Sequence, residues 1–116
     1  MNLETIRTYC LKKKSTDEDF PFDQETLVFR VSGKIFALIN THIAEFINLK
    51  ADPEKAIEWR ERYEGVQPGY HMNKKLWNSV YLDGSVQDKE IFLMIDHSYD
   101  EVVKKLPKKE RIKLQP

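Results

Sequence analysis

Cysteine, glycine and long apolar runs are all scarce in this chain of 116 residues. The single cysteine, Cys10, excludes an internal disulfide and any zinc or iron–sulfur site built from several cysteines. The longest apolar runs, Ile35–Ile39 and Ile91–Ile95, are far shorter than the roughly 20 residues that span a bilayer. None of the four glycines belongs to a Gly-x-Gly-x-x-Gly or Gly-x-x-x-x-Gly-Lys-Ser/Thr motif, so the sequence offers no phosphate loop for nucleotide chemistry.

The composition is that of one globular domain. Hydrophobic residues make up 41% of the chain and charged residues 33%, which supports a packed core rather than a disordered segment. We expect a single domain over residues 1–106 and a mobile basic tail over residues 107–116. Met1 leads into Asn-Leu-Glu-Thr, which lacks the basic start and apolar run of a signal peptide. We therefore expect a cytoplasmic protein without a membrane segment, and we expect it to be a monomer.

Charge is balanced overall but unevenly distributed along the chain. Nineteen Lys and Arg match nineteen Asp and Glu, yet residues 104–113 hold six of the basic residues and one acid. Residues 1–103 therefore carry thirteen basic and eighteen acidic side chains, a net charge of −5. Nucleic-acid binding requires basic side chains that displace counterions from phosphates. Any such binding must come from a local patch or from the tail.

Hydrophobic periodicity and turn residues predict helices at both ends of the chain and a strand-rich middle with one more helix. Gly33-Lys34 signals a hairpin between the first two strands. Ser15–Glu25 is expected to be an ordered loop anchored by Phe20 and Phe22. The predicted helices are residues 2–13, 52–65 and 85–106, with Asn2, Asp52 and Ser85 as N-caps, and the predicted strands are Thr26–Ser32, Ile35–Asn40, Glu45–Lys50, Tyr70–Met72 and Leu76–Leu82.

This order of elements predicts an α+β, two-layer sandwich. Strands joined by hairpins form a mainly antiparallel sheet, and the helices most economically share one of its faces. In the last helix Tyr99 continues an apolar stripe with Ile91, Ile95, Val102 and Leu106. We expect the Tyr99 ring to pack against the sheet and its hydroxyl to bond to an acceptor on the strand pair 70–82, because an unpaired buried hydroxyl costs about 1–3 kcal/mol.

No residue set supports a named reaction, so we expect no enzyme, no cofactor and no metal. His42, His71 and His97 are the only histidines, and none forms His-x-x-x-His with another. His97 is expected to be an exposed partner of Glu101 one helical turn away. A nucleophilic pair of Cys10 with His71 or His97 stays open, since such pairs meet in space rather than in sequence. The position of Cys10 on an apolar helix stripe favours a buried structural role.

The densest polar segment runs from Pro68 to Asn78. Lys74 and Lys75 are suited to phosphates, Tyr70 or Trp77 to stacking on bases, and Asn73 or Asn78 to base edges. The structural alternative is that Trp77 belongs to the core and that Asn73-Lys74-Lys75 is an ordinary turn.

At this segment and along nearly the whole chain, the sequence resembles the MmcQ/YjbR family of small bacterial proteins. The matching pieces follow the family order from residue 1 to about residue 110. They are Asp19-Phe-Pro-Phe22, Thr26-Leu-Val-Phe29, Lys34, Phe36, Leu49-Lys50, Asp52-Pro53, Pro68-Gly-Tyr-His71, Asn73-Lys-Lys75, Trp77-Asn78, Asp83-Gly84, His97-Ser-Tyr99, Val102 and Leu106-Pro-Lys-Lys109.

The resemblance implies a CyaY-like α+β domain and DNA binding through a double-wing surface of β-hairpin loops. The wings on this chain would be the hairpin at Gly33-Lys34 and the turn at Asn73–Lys75. The family brings no catalytic residues and no cofactor. Because residues 1–103 carry a net charge of −5, we expect the binding of double-stranded DNA to be weak and salt-sensitive. Phosphate contacts are expected from Lys34, Lys50, Lys74 and Lys75, on a surface lined by His71, Asn73, Trp77 and Asn78.

A second interpretation is a non-catalytic binding module for a protein or a small anionic ligand. In this case His71, Trp77, Ser98 and Tyr99 are expected to converge where the last helix meets the sheet, because aromatic and polar groups in a concavity are typical of ligand pockets.

Overall fold

A computed structural model describes residues 1–115 as a six-stranded antiparallel sheet and four helices. The sheet order is β1-β2-β3-β4-β6-β5. The elements are α1 (Leu3–Leu11), β1 (Thr16–Asp19), β2 (Thr26–Val31), β3 (Lys34–Asn40), β4 (Phe46–Lys50), α2 (Pro53–Arg62), β5 (Val66–Pro68), β6 (Trp77–Tyr81), α3 (Asp88–Val103) and α4 (Lys108–Lys113). The predicted α+β class with a mainly antiparallel sheet is confirmed.

The core lies between one face of the sheet and helices α1, α2 and α3. Strand residues that alternate toward this face, such as Phe29, Ile47 and Leu49, are buried against Ile6 of α1 and Ile95 of α3. We call the other face of the sheet, on which Leu38 and Asn48 pair, the helix-free face. It carries polar side chains such as Asn48 as well as apolar ones such as Leu38.

Helix starts follow local capping chemistry where a side chain can reach the first turn. Asn2 accepts from the Thr5 amide at 2.9 Å, and Asp52 accepts from the first amides of α2. Ser85, by contrast, donates to Asp83, and α3 begins three residues later without a side-chain cap. The prediction of Ser85 as N-cap is wrong, because the chain stays non-helical far enough to bury Val86.

Three further expectations about local structure are wrong. The segment expected to be a loop contains the edge strand β1, whose acidic residues give no sequence signal for a strand. Phe20 and Phe22, expected to anchor this segment, are exposed. The strand expected at 70–72 is a turn, since His71 has a φ of 58° that no regular strand accommodates, and β6 pairs with β5 instead. Residues 108–113 of the expected tail form α4, and Pro116 lies outside the described residues.

Candidate nucleic-acid interface

The two predicted wings lie at the same end of the sheet. The β2–β3 hairpin turns at Ser32 and Gly33, both with positive φ, and Lys34 opens β3 immediately after it. Strand β4 runs antiparallel to β3 and ends at Lys50, which pairs with Trp77 at the start of β6. The turn at residues 73–75 directly precedes β6. The sheet register therefore brings the hairpin, the end of β4 and the turn to the same end of the sheet.

The C-terminal half of α3 reaches the same end. The Ser98 hydroxyl donates to the Phe36 carbonyl and accepts from the Lys50 amide at 2.8 Å, which fixes α3 against β3 and β4. Beyond this point, Lys105 joins Lys34 and Lys50 around a concavity of about 210 Å³ with apolar walls. We call Lys34, Lys50, Lys74, Lys75 and Lys105 the basic end. The basic segment 104–113 is thus joined in space to lysines from the body of the domain.

The acidic charge of residues 1–103 is partly displaced toward the opposite end. The β1–β2 and β3–β4 connections and the segment after β6 all lie there, because their strands pair away from Lys34 and Lys50. They carry Asp23, Glu25, Glu45 and Asp83. The net charge of −5 therefore does not describe the surface around the basic end.

The basic end is not neutralised internally. Among residues 1–115, the ion pairs include Lys13, Lys55, Lys104 and Lys113 but no lysine of the basic end. Burial lowers the pKa of the Lys50 ammonium, and the neighbouring charge of Lys105 lowers it further, outweighing the opposite effect of the Glu101 carboxylate. An unpaired, partly desolvated ammonium group gains free energy when an anion binds beside it.

Arg60 of α2 holds the turn at residues 73–75, the second wing, in place through hydrogen bonds. Its guanidinium donates to the Asn78 side-chain oxygen at 2.6 Å and to the backbone carbonyls of Lys74 and Trp77. A Cβ atom at Gly69 would lie 2.8 Å from the Trp77 Cβ, so only glycine allows this close approach. The sequence analysis did not identify Arg60 as a residue of this site. Its position next to buried Trp59 on an amphipathic helix could have indicated that it lies close to the sheet.

The remaining side chains of the turn shape it. The Asn73 side chain accepts from the Lys75 amide at 2.9 Å, and the Lys74 ammonium donates to the Gly69 carbonyl at 2.9 Å. Lys75 is exposed and makes no side-chain bond within residues 1–115. Asn73 is therefore a turn-forming residue, while Lys74 and Lys75 supply the positive charge.

The structure brings together only part of the predicted contact surface. Lys34, Lys50, Lys74 and Lys75 share one end, and half-buried Trp77 lies opposite Lys50. Asn78 is 2% exposed and bonds to Arg60 and to the Ala56 carbonyl, so it faces α2 and not solvent. His71 lies against Tyr70 on the helix-free face, with ring centroids 4.1 Å apart. Neither Asn78 nor His71 belongs to the basic end.

The predicted convergence of His71, Trp77, Ser98 and Tyr99 is wrong. Ser98 is fully buried where α3 packs on the sheet, whereas His71 is exposed on the other side of the sheet. The Tyr99 ring does pack edge-on against Phe36 of the sheet, at 5.5 Å between centroids. Its hydroxyl, however, donates to the Lys14 carbonyl at 2.7 Å and not to the strand pair 70–82.

Cys10 has the environment of a structural cysteine. Its thiol is fully buried, and burial raises its pKa to about 12. The thiolate that nucleophilic chemistry requires is therefore scarce at neutral pH. Among residues 1–115, no three His, Cys, Asp or Glu side chains are grouped to hold a metal ion, and no helix is long and apolar enough to cross a membrane.

His97 is half-buried, contrary to the exposed position expected for it. Its Nε2 accepts from the Asp52 amide at 3.1 Å, and its ring packs edge-on against Trp59. Burial is the largest influence on this imidazole and lowers its pKa, outweighing the charges of Glu101 and Asp52. Protonation would also remove the acceptor that caps the start of α2.

We expect acidification to destabilise the protein through His97. Because its folded pKa lies below the unfolded value of about 6.5, its contribution is complete above that pH and is lost as the pH falls. Urea unfolding at pH 7.5 and 5.5 should show a smaller decrease in unfolding free energy for His97→Gln than for the parent. His42→Gln, at an exposed imidazole, is the matched control. An equal change in both variants would contradict the assignment.

Comparison with known proteins places this architecture in a family. The YjbR family model matches residues 11–101. The chain is 31% identical over 112 residues to the protein YjbR of Escherichia coli strain K12, covering 96% of this chain and 95% of the relative. It is 36% identical over 114 residues to YbdF of Escherichia coli O157:H7, covering 97% of this chain and 93% of that relative. A crystal structure of a Deinococcus radiodurans protein with a DUF419 domain matches with a TM-score of 0.91 and 38% identity, covering 97% of this chain and 87% of that one. The resemblance seen in the sequence is confirmed, and the chain belongs to the YjbR family.

Proposed function

We propose that this protein binds double-stranded DNA through the basic end, with the β2–β3 hairpin and the turn at residues 73–75 as two wings. The observation that carries the proposal is the convergence of five lysines from four separate segments, none of them ion-paired within residues 1–115. Lysines that contact phosphates release condensed counterions on binding. The hairpin and the braced turn hold Lys34, Lys74 and Lys75 on defined backbone rather than on free chain ends.

Binding should be weak and strongly dependent on salt. The contacts are ammonium groups directed at phosphates. Of the two amides expected to read a base edge, Asn78 is buried and the Asn73 oxygen already bonds to the Lys75 amide. Sequence preference should accordingly be small. Fluorescence anisotropy with a labelled duplex at several salt concentrations measures both the affinity and the slope of log K against log salt.

The double variant Lys74→Ala/Lys75→Ala should lower the magnitude of that slope by about two. Two phosphate contacts are lost, while the turn keeps the backbone bonds to Arg60. Arg62→Ala/Lys89→Ala removes the same charge from two exposed residues that do not belong to the basic end and is the matched control. A control variant that lowers the slope as much as the wing variant would show that overall charge, not this surface, governs binding.

A second candidate function is the binding of a small phosphorylated ligand in the concavity between Lys34, Lys50 and Lys105. The specific observation is that three unpaired ammonium groups surround about 210 Å³ with Ile35, Val102 and Leu106 as walls. Apolar walls exclude water and strengthen the attraction between an ammonium group and a phosphoryl oxygen.

Pyrophosphate distinguishes the two candidates. If the concavity is a ligand site, Lys50→Gln should weaken pyrophosphate binding at least tenfold in calorimetric titration, whereas Lys74→Ala/Lys75→Ala should leave it unchanged. If the protein binds only DNA, pyrophosphate should produce no saturable heat, and the wing variant should still alter the salt slope.

A further inference from the structure

The helix-free face carries a concavity that the basic end does not use. It has a volume of about 250 Å³, and its floor and rim include Leu38, Ile43, Phe46, Asn48, Tyr70 and Met72. Ile43 and Tyr70 are large hydrophobic side chains, yet each is 59% exposed. The concavity extends from the middle of the sheet toward the end opposite Lys34 and Lys50, because Phe46 pairs with Tyr81 there.

The segment that covers one side of this concavity is fastened by side chains. The Tyr70 amide donates to the Ser79 hydroxyl at 2.9 Å, and the Asn48 side-chain amide donates to the Tyr70 carbonyl at 3.2 Å. The Ser79 hydroxyl in turn donates to the Asn48 side-chain oxygen. Asn48 and Ser79 are 8% and 1% exposed. This closed network holds Tyr70 over the sheet and fixes the orientation of the Asn48 amide.

Backbone strain occurs on both sides of the same concavity. Among residues 1–115, four residues other than glycine have positive φ, and two of them are Ala44 at 41° and His71 at 58°. His71 lines the concavity, and Ala44 follows Ile43, which also lines it. Strained backbone of this kind is concentrated at ligand sites, where the surrounding structure holds it in place.

The Asn40 and Asn48 carboxamides that line the concavity have hydrogen-bond donors left over. The Asn40 side-chain oxygen already accepts from the amides of His42 and Ile43, and the Asn48 oxygen accepts from Ser79. Each carboxamide nitrogen carries two hydrogens, and the only bond they make within residues 1–115 is the one from Asn48 to Tyr70. No Asp, Glu, Lys or Arg lines the concavity. A complementary ligand therefore supplies acceptors and no net charge.

The aromatic side chains at the rim of the concavity favour a flat ligand. Phe46 and Tyr70 meet edge-on with ring centroids 5.9 Å apart, and Leu38 and Met72 add aliphatic surface. A flat ring placed over Leu38 meets the rim aromatics at its edge or face, the arrangements that aromatic pairs favour. We propose that this concavity binds a small, uncharged aromatic molecule whose carbonyl accepts from the Asn48 and Asn40 amides.

Benzamide is a probe with these properties, and benzoate is its charged counterpart. In ¹H–¹⁵N spectra of the full chain, benzamide should cause saturable shifts of the Leu38 and Tyr70 backbone amides and of the Asn48 and Asn40 side-chain amides. Benzoate should bind at least tenfold more weakly, because the concavity offers no fixed positive charge. Absence of saturable shifts at these groups up to the solubility of benzamide would overturn the proposal.

Variants that leave the core intact locate the site. Tyr70→Ala removes an exposed ring and should weaken benzamide binding at least fivefold. Leu93→Ala, which removes another large, exposed side chain, on α3, is the matched control and should leave the affinity unchanged. Equal affinity of Tyr70→Ala and the parent would overturn the proposal. DNA binding is expected to be the same in all three proteins, so this test is independent of the proposed function.

Discussion

Ser98→Ala should lower the free energy of unfolding by about 3 kcal/mol. The Ser98 side chain is fully buried and bridges the Lys50 amide and the Phe36 carbonyl, two backbone groups at neighbouring strand positions. Alanine leaves both groups without a partner in a place that water does not reach, and each such group costs about 1–3 kcal/mol. Urea unfolding followed by circular dichroism measures the loss.

Two further variants distinguish the loss of the two Ser98 hydrogen bonds from the mere loss of a hydroxyl oxygen. Ser85→Ala removes an exposed hydroxyl that bonds only to Asp83 and should change stability by less than about 0.5 kcal/mol. Ser98→Thr keeps the hydroxyl and should retain more stability than Ser98→Ala if the added methyl group fits. If Ser98→Ala matches the stability of Ser85→Ala, the bridge between α3 and the strands is not a stabilising contact.

The sequence predicted the parts of this fold in which local chemistry and burial agree. The hairpin signal at Gly33 coincides with alternation of Leu27 and Phe29 into the core, and β2 and β3 form as expected. Asn2 and Asp52 cap helices because their side chains reach the first free amides. In these segments turn chemistry and hydrophobic pattern specify the same structure.

Errors arose where long-range contacts override local preference. Strand β1 consists of Thr16-Asp-Glu-Asp19 and has little strand propensity, but its carboxylates pair with Arg30 of β2 and Arg7 of α1. Tyr70 has strong strand propensity, yet its backbone bonds to the side chains of Asn48 and Ser79. A pattern read within one segment contains no information about such partners.

The candidate site was predictable in composition but not in arrangement. The family resemblance indicated Lys34, Lys50, Lys74 and Lys75, and the sheet register places all of them at one end. Lys105 joins them because Ser98 fixes α3 against β3 and β4, a long-range contact that no local pattern specifies. Asn78 was predicted as a surface residue because an amide beside a tryptophan on a strand gives no sign of a helix packed over it.

Asn78→Leu should lower the free energy of unfolding by about 2–4 kcal/mol and weaken the proposed binding to DNA. Leucine keeps the volume but leaves the Ala56 carbonyl unpaired, and the Arg60 guanidinium loses the partner to which it donates at 2.6 Å. Arg60 also holds the carbonyls of Lys74 and Trp77, so its release should loosen the turn that carries Lys74 and Lys75. Hydrogen exchange at the Trp77 amide, which bonds to the Asn73 carbonyl, reports this loosening directly.

Asn78→Asp is the matched variant, because a carboxylate keeps an acceptor for Arg60, while it loses the donor to the Ala56 carbonyl and adds one negative charge beside the guanidinium. If the brace positions the wing, Asn78→Asp should retain slow exchange at Trp77 and the parental salt slope for DNA, whereas Asn78→Leu should exchange faster and bind with a smaller slope. Both variants lose the bond to Ala56, so a difference between them reports the Arg60 contact and not general destabilisation. Equal exchange rates at Trp77 in the two variants would mean that the turn is held by its own bonds at Asn73 and Gly69, with Arg60 serving only to pack α2 against the sheet.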